Sequence, residues 1–356
     1  MTESTSAAIS SSRATAIVGI VGAGITGQAV GRIVRQIGLR SAWFDSNHDA
    51  ARRAAARFGG VVVDSVDDLA VADTVVLASP GPHARLAIRL LSEHCPVVSA
   101  GDDVDDIAEL LDLHDFAVEQ ECALVVGAAL SPGLSGLLAR YLSDQLAEVD
   151  EIHIAMHGTG GPACARQHHH ALGSRGRGWH DGAWIERPGG SGRELVWFPE
   201  PIGPADCYRG ALGDPLVLHR AFPAADRISA RVSATRRDRL TARLPLLSPP
   251  HPGGDRGAIR VEVRGAAESG ERITSIVGAV GRTGDMAGTV AALFARESTQ
   301  GRLAPGVVVA GAERDVSARV LAGVVDAGVL LQEYTGIARP AMAAHPSSGA
   351  APGASS

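Results

Sequence analysis

Three features of the 356 residues predict an α/β chain of two domains. From residue 14 to about 147, continuous apolar runs alternate with helical stretches, as in parallel strands buried on both faces. From about 148, apolar and polar residues alternate singly, as in antiparallel strands with one wet face. A glycine fingerprint sits between the first apolar run and the first helical stretch. Together these specify a Rossmann-type doubly wound parallel sheet, followed by a second, smaller α+β domain built on a mostly antiparallel sheet.

In the first domain the strand runs are AIVGIVG (16–22), SAWFD (41–45), VVV (61–63), TVVLAS (74–79), PVVSAG (96–101) and ALVVGAA (123–129). The fingerprint Gly22-Ala23-Gly24-Ile25-Thr26-Gly27 follows the first run and opens the helical stretch QAVGRIVRQIG. Gly22 permits a tight turn, Gly24 lets backbone approach a pyrophosphate, and Gly27 lets helix and strand pack closely. The amides near Ile25 and Thr26 then face the diphosphate at the positive end of the helix. Asp45 ends the second strand, 18 residues beyond Gly27, where a carboxylate accepts hydrogen bonds from the adenosine ribose. That favours NAD, with NADP as the alternative because Arg52 and Arg53 follow closely; Asp45 otherwise serves as a cap of the next helix. Ser79 and Gly81 after the fourth strand, and Ala100 and Gly101 after the fifth, lie where open α/β sheets bind ligands, or else form ordinary turns.

The alternating strands are EIHIAMH, DRISARVSAT and AIRVEVRG, with ELVWF (194–198) and RITSIVGAV (272–280) as further strands. GDMAGTVAALFARE and ERDVSARVLAGVVDAG read as two closing helices. The expected division is 14–147 for the dinucleotide-binding domain, 148–282 for a substrate and dimerisation domain, and 283–339 for helices packing back on the first. Residues 1–13 and 340–356, rich in Ser, Ala, Gly and Pro, are expected to be disordered tails.

Composition narrows the chemistry. All 33 basic residues are arginine, which excludes Schiff-base, pyridoxal-phosphate and P-loop lysines. A net charge of −6 without a dense basic stretch argues against nucleic acid as a partner. The four cysteines are widely spaced, as in a reducing cytoplasm. No apolar run reaches the ~18–20 residues needed to span a bilayer, and the N-terminal residues lack a signal-peptide pattern. A cytoplasmic protein with no membrane contact is expected.

Residues 157–209 hold three of the four tryptophans and five of the thirteen histidines, among many arginines. Guanidinium forks match a carboxylate and imidazoles titrate near neutrality, so the stretch offers what a site holding a small carboxylate and moving a proton would need. Arg166 is the candidate for the carboxylate, and His168, His169 and His170 are candidates for acid/base work. A solvated loop and a tryptophan-rich core or interface are the competing readings. Cys164 and His168 are four apart, on one face of a helix, but zinc needs three or four ligands and the sequence does not supply the rest. No metal is assigned.

The chain resembles the saccharopine dehydrogenase-like oxidoreductases at three places. One is the fingerprint. Another is the run Val126 to Ala139, VGAALSPGLSGLLA, similar to the family's strand, "PGL" and helix beside the nicotinamide, which brings Pro132 into the cofactor site. The last is Thr289 to Leu293 followed by Gly301 and Ala304-Pro305-Gly306-Val307-Val308, similar to its closing helix and "PGV" turn. The resemblance implies hydride transfer to or from a carbon bonded to nitrogen, on a small substrate carrying a carboxylate. Lysine-forming members pair a catalytic lysine with a histidine, and this chain has no lysine. The alternatives are a non-catalytic NAD(P)-binding sensor and a two-domain dehydrogenase acting on a C–O bond. A second subunit covering the alternating sheet would make a homodimer.

Overall fold

A computed structural model describes residues 15–245 and 251–334; the expected tails lie outside the described residues. The chain begins with β1 (Ile17–Val21), α1 (Ile25–Gln36), β2 (Arg40–Phe44), α2 (His48–Phe58) and β3 (Val61–Val62). It continues through β4 (Thr74–Leu77), α3 (Ala84–Ser92), β5 (Val97–Ser99), α4 (Val104–Leu111), α5 (His114–Glu119), β6 (Ala123–Val126) and α6 (Leu134–Ser143). The next part comprises β7 (Glu148–His157), α7 (Pro162–Gly173), β8 (Gly176–His180), β9 (Ala183–Arg187), β10 (Glu194–Trp197), β11 (Pro204–Tyr208) and α8 (Asp214–Ala221). Then come β12 (Arg227–Ser233), α9 (Arg236–Thr241), β13 (Arg256–Ala266), β14 (Arg272–Arg282), α10 (Thr283–Thr299), β15 (Gly306–Val309), α11 (Arg314–Asp326) and β16 (Leu330–Glu333).

The fold class is the one the sequence predicts. The first sheet is wholly parallel, in the order β15-β6-β5-β4-β1-β2-β3. Its central strands are buried along their length, Val75, Val76 and Leu77 at 0% exposure, which explains their unbroken apolar runs. The second sheet runs β10-β11-β12-β7-β13-β14-β16, with the β8–β9 hairpin also pairing to β12. Only the β12–β7 pair is parallel among the described residues. One face of this sheet packs on α6, α8 and α10. On β12 the buried residues Ile228, Ala230 and Val232 alternate with Arg227, Ser229 and Arg231 on the other face.

The closing segment differs from its reading as helices alone. Residues 306–309, read as a turn, are β15, the seventh strand of the first sheet. Residues 330–333 are β16, an edge strand of the second. The described residues from Thr283 onward therefore stitch the two sheets together, with α10 packed on α1 between them. The arginine-rich stretch 158–193 also has more order than its pattern suggested, forming α7 and the β8–β9 hairpin. No helix among the described residues is long and apolar enough to cross a membrane.

Candidate functional site

The carboxyl ends of β1, β2, β4 and β5 open on a cleft of about 1000 Å³, and the turn before α7 and α7 itself form its opposite wall. Gly22, Gly24, Ile25, Thr26, Asp45, Ser79, Gly81, Ala100 and Gly101 line one side; Cys164, Arg166 and His168 line the other. Open α/β sheets hold ligands at this place.

The fingerprint glycines divide their tasks. Gly22 has φ +101°, and a Cβ there would stand 2.7 Å from Ser79 N. A Cβ on Gly27 would stand 1.8 Å from Gly22 O, so only glycine lets α1 start this close to β1. Gly27 therefore acts from behind the cleft rather than lining it. Gly24 is the opposite case: a Cβ there would meet nothing within 4 Å, so the missing side chain leaves open cleft. α1 has no side-chain cap and no acidic residue in its first turn. Its leading N–H groups are left for an anionic ligand.

Asp45 Oδ2 accepts from Ala23 N at 2.6 Å and Oδ1 accepts from Asn47 N at 2.8 Å. The carboxylate thus braces the fingerprint turn from the end of β2. It does not cap α2; Asn47 does, accepting from Asp49 N and Ala50 N.

The loops after β4 and β5 are tied by His83 and Asp106, both buried and both outside the sequence expectations. His83 N and Ala84 N donate to Asp106 Oδ1 at 2.7 and 3.1 Å. His83 Nε2 faces the Ser79 carbonyl at 2.9 Å, and Nδ1 faces Ser99 Oγ at 2.8 Å. A carbonyl only accepts, so the proton sits on Nε2 and Nδ1 accepts from the Ser99 hydroxyl. Ser99 Oγ in turn accepts from Gly101 N at 3.2 Å. Burial pulls His83 below the usual histidine range against the pull of Asp106, which keeps the ring in this neutral form. The network fixes the loops carrying Ser79, Gly81, Ala100 and Gly101.

α7 reaches across the cleft. Gln167 Nε2 donates to Asp103 Oδ2 at 2.5 Å, while Asp103 Oδ1 caps α4 through Asp105 N and Asp106 N. One turn apart on α7, Cys164 Sγ and His168 Nε2 stand 3.5 Å from each other. Asp102 Oδ2 lies 3.5 Å from that ring nitrogen and 3.7 Å from the sulfur. Burial alone pulls His168 down, but Cys164 and Asp102 outweigh it and hold the imidazole well above the ordinary histidine range. His168 Nδ1 is buried without a hydrogen-bond partner, as is Asp214 Oδ1. Asp214 Oδ2 accepts from Ser131 Oγ at 2.6 Å; burial raises the Asp214 carboxyl, while Ser131 and the His168 charge pull it down. The donor atoms of Asp102, Cys164 and His168 lie within 4.8 Å of one another, a set that zinc also accepts. Asp102 is the member the spacing of Cys164 and His168 did not disclose.

Several expected site residues fall elsewhere. His169 points away, its Nε2 3.1 and 3.0 Å from the carbonyls of Thr241 and Leu244, holding α7 to α9. His170 is exposed, near Ser174 Oγ. A run of three histidines on a helix spans 200° of arc, so only one can face a given wall. Pro132 packs behind the cleft, against Gly127 and Gly213, and it is the buried Ala129, Leu130 and Ser131 that line it. Of the arginines gathered in 157–209, only Arg166 lines the cleft. Most of its charged wall is acidic: Asp45, Asp102, Asp103, Asp105, Asp106 and Glu109. Cys164 is the cysteine that lines the cleft, while Cys95, Cys122 and Cys207 are buried elsewhere, burial pushing the Cys95 and Cys207 thiols up to about 12.

No protein-family model and no curated protein sequence matches the chain. Solved structures do match in fold. The saccharopine dehydrogenase (L-Glu forming) of Saccharomyces cerevisiae superposes with a TM-score of 0.67 at 13% identity, covering 90% of this chain and 100% of the other. The homospermidine synthase of Legionella pneumophila, solved in complex with NAD, superposes with a TM-score of 0.64 at 11% identity, covering 90% and 91%. The fold of this chain is the one these two structures share, as the resemblance drawn from the sequence implied.

Proposed function

We propose that this chain is an NAD-dependent oxidoreductase that moves a hydride to or from a carbon bonded to nitrogen, on an amino-acid-like carboxylate. The observation that carries the reading is one cleft: the open face at Gly24 on one wall, and Cys164, Arg166 and His168 on the other. The α1 N-terminus would take the pyrophosphate and Asp45 the adenosine ribose. When bound, the nicotinamide supplies the hydride; the chain supplies alignment, charge and exclusion of water.

In the reductive direction a C=N bond accepts hydride at carbon and needs a proton at nitrogen. His168, held protonated by Cys164 and Asp102, carries that proton; in the oxidative direction it takes one back. Arg166 matches the substrate carboxylate, and the acidic wall matches its cationic nitrogen. NADP remains the alternative coenzyme because Arg52 and Arg53 are exposed on α2. A homodimer in the cytoplasm belongs to the same proposal, with light scattering giving the particle mass.

The test is NADH binding by fluorescence, followed by NADH oxidation with pairs of oxo-acid and amine. Steady turnover supports the reading. Tight binding without turnover assigns a sensor, and turnover only with hydroxy acids or sugars assigns a C–O dehydrogenase. Stoichiometric zinc in the purified protein would make Asp102, Cys164 and His168 its ligands and take His168 out of the proton-carrying role.

A further inference from the structure

Arg177, Arg187 and Arg209, which do not reach the cleft, line a second cavity of about 440 Å³ that shares no lining residue with the first. It lies where the second sheet forks. β8 pairs with β12 at Arg227 and Ile228, and β11 pairs with it at Val232 and Ser233. Residues 229–231 between them pair with neither strand on that edge, and all three line the cavity. Its floor is the outward face of β7, β12 and β13; its walls are the β8–β9 hairpin and β10.

Seven guanidiniums line this space against two carboxylates, Glu194 and Glu262. Ion pairs account for five of the seven. Arg231 pairs with Glu194 at 2.8 Å, and Arg260 and Arg264 share Glu262 at 2.7 and 2.6 Å. Arg177 pairs with Glu186 at 3.3 Å and Arg227 with Glu151 at 3.3 Å, both acids reaching in from the rim. Arg187 and Arg209 have no carboxylate within 4.0 Å among the described residues. Arg209 is held below the ordinary arginine range by burial and then by the charges of Arg231 and Arg187. Its guanidinium lies against Gly192, where a Cβ would stand 2.1 Å from Nη1, so it is clamped in place. Arg209 is half-buried in this concave wall and Arg187 is exposed, donating to the Glu186 carbonyl at 3.4 Å; an excess of positive charge on a concave wall draws anions.

We propose that this cavity binds a small molecule with at least two anionic oxygens, a phosphate or a dicarboxylate, between Arg187 and Arg209. Guanidinium forks match both groups bidentately. Trp179 and Ile185 give the rest of the ligand an apolar wall. The size suits a metabolite rather than a polymer. The site is separate from the cleft and stands whether or not the redox reading does.

The test uses the full chain at constant ionic strength in chloride. Inorganic phosphate and succinate are titrated separately, reading thermal stability and tryptophan fluorescence, to which Trp179 reports. A saturable rise in Tm with phosphate assigns a phosphate ligand, and one with succinate alone assigns a dicarboxylate. The double variant Arg187→Gln, Arg209→Gln should lose that rise and keep NADH affinity. It should also melt higher than the parent in chloride alone, because a like-charge contact is gone; arginines with a merely structural role would make it melt lower. Failure of both anions to saturate, or an equal response in the double variant, overturns the proposal.

Discussion

Asp45 and His168 carry the sharpest expectations at the scale of single side chains. With both oxygens of Asp45 engaged by backbone N–H groups, its charge stays fixed at the end of β2. Asp45→Ser should shift the NADH-to-NADPH affinity ratio toward NADPH by about tenfold, the worth of one charged hydrogen bond. Parallel fluorescence titrations measure it, and an unchanged ratio removes Asp45 from the ribose site. His168 is raised well above its ordinary range, so it is protonated at neutral pH and loses its proton only as pH climbs through that raised value. Reductive kcat/KM should therefore fall on the alkaline side. Asp102→Asn should move that limb to lower pH, and His168→Asn should cost roughly 10²–10⁴ in rate. Both appear in pH–rate profiles of the two variants.

Helix ends and buried carboxylates decide the next scale. Asn47→Ala removes the cap of α2 and should cost about 1 kcal/mol in denaturant unfolding while leaving the NADH-to-NADPH ratio alone, the reverse of Asp45→Ser. Glu297 of α10 is wholly buried among Arg296, Arg302 and Arg319, with Arg319 Nε at 2.7 Å from Oε2, and this pins α10 to α11. Glu297→Ala should cost about 1.5–3 kcal/mol, the worth of a hydrogen bond between charged groups, because the three guanidiniums it leaves keep access to water. Elements with strong periodicity were legible in the sequence: β1, β4 and β6 as unbroken apolar runs, β12 and β13 as alternations. α7 was not, because its inward residues include Cys164, His168 and His169, polar groups that an apolar pattern cannot mark. β15 hid behind Pro305 and Gly306, which read as a turn although Gly306 also opens a strand. On the site, the fingerprint residues and Asp45 were readable because backbone sterics fix their spacing. His83, Asp102 and Asp106 meet their partners only through tertiary contact, and no local spacing encodes that.

Taken as a whole, the molecule is set to lose stability in mild acid. Burial lowers the histidines His83, His157 and His219 below 6.5, their unfolded value. Their neutral forms support the fold above that value, and the support is lost as pH falls through the lowered values. Tm should therefore drop as pH falls below about 6.5, and His83→Gln should flatten the drop. His168 works in the opposite sense, adding stability below 6.5 and losing it toward high pH, so a stability optimum lies between the two limbs. β15 has a further consequence, for synthesis on the ribosome. It pairs with β6 across about 180 intervening residues, so the edge Ala123–Val126 emerges long before its neighbour exists. At 5–20 residues per second that interval is on the order of ten to forty seconds. Through it a buried-type strand stands bare, with its unpaired edge a template for pairing with another nascent copy until its closing strand arrives.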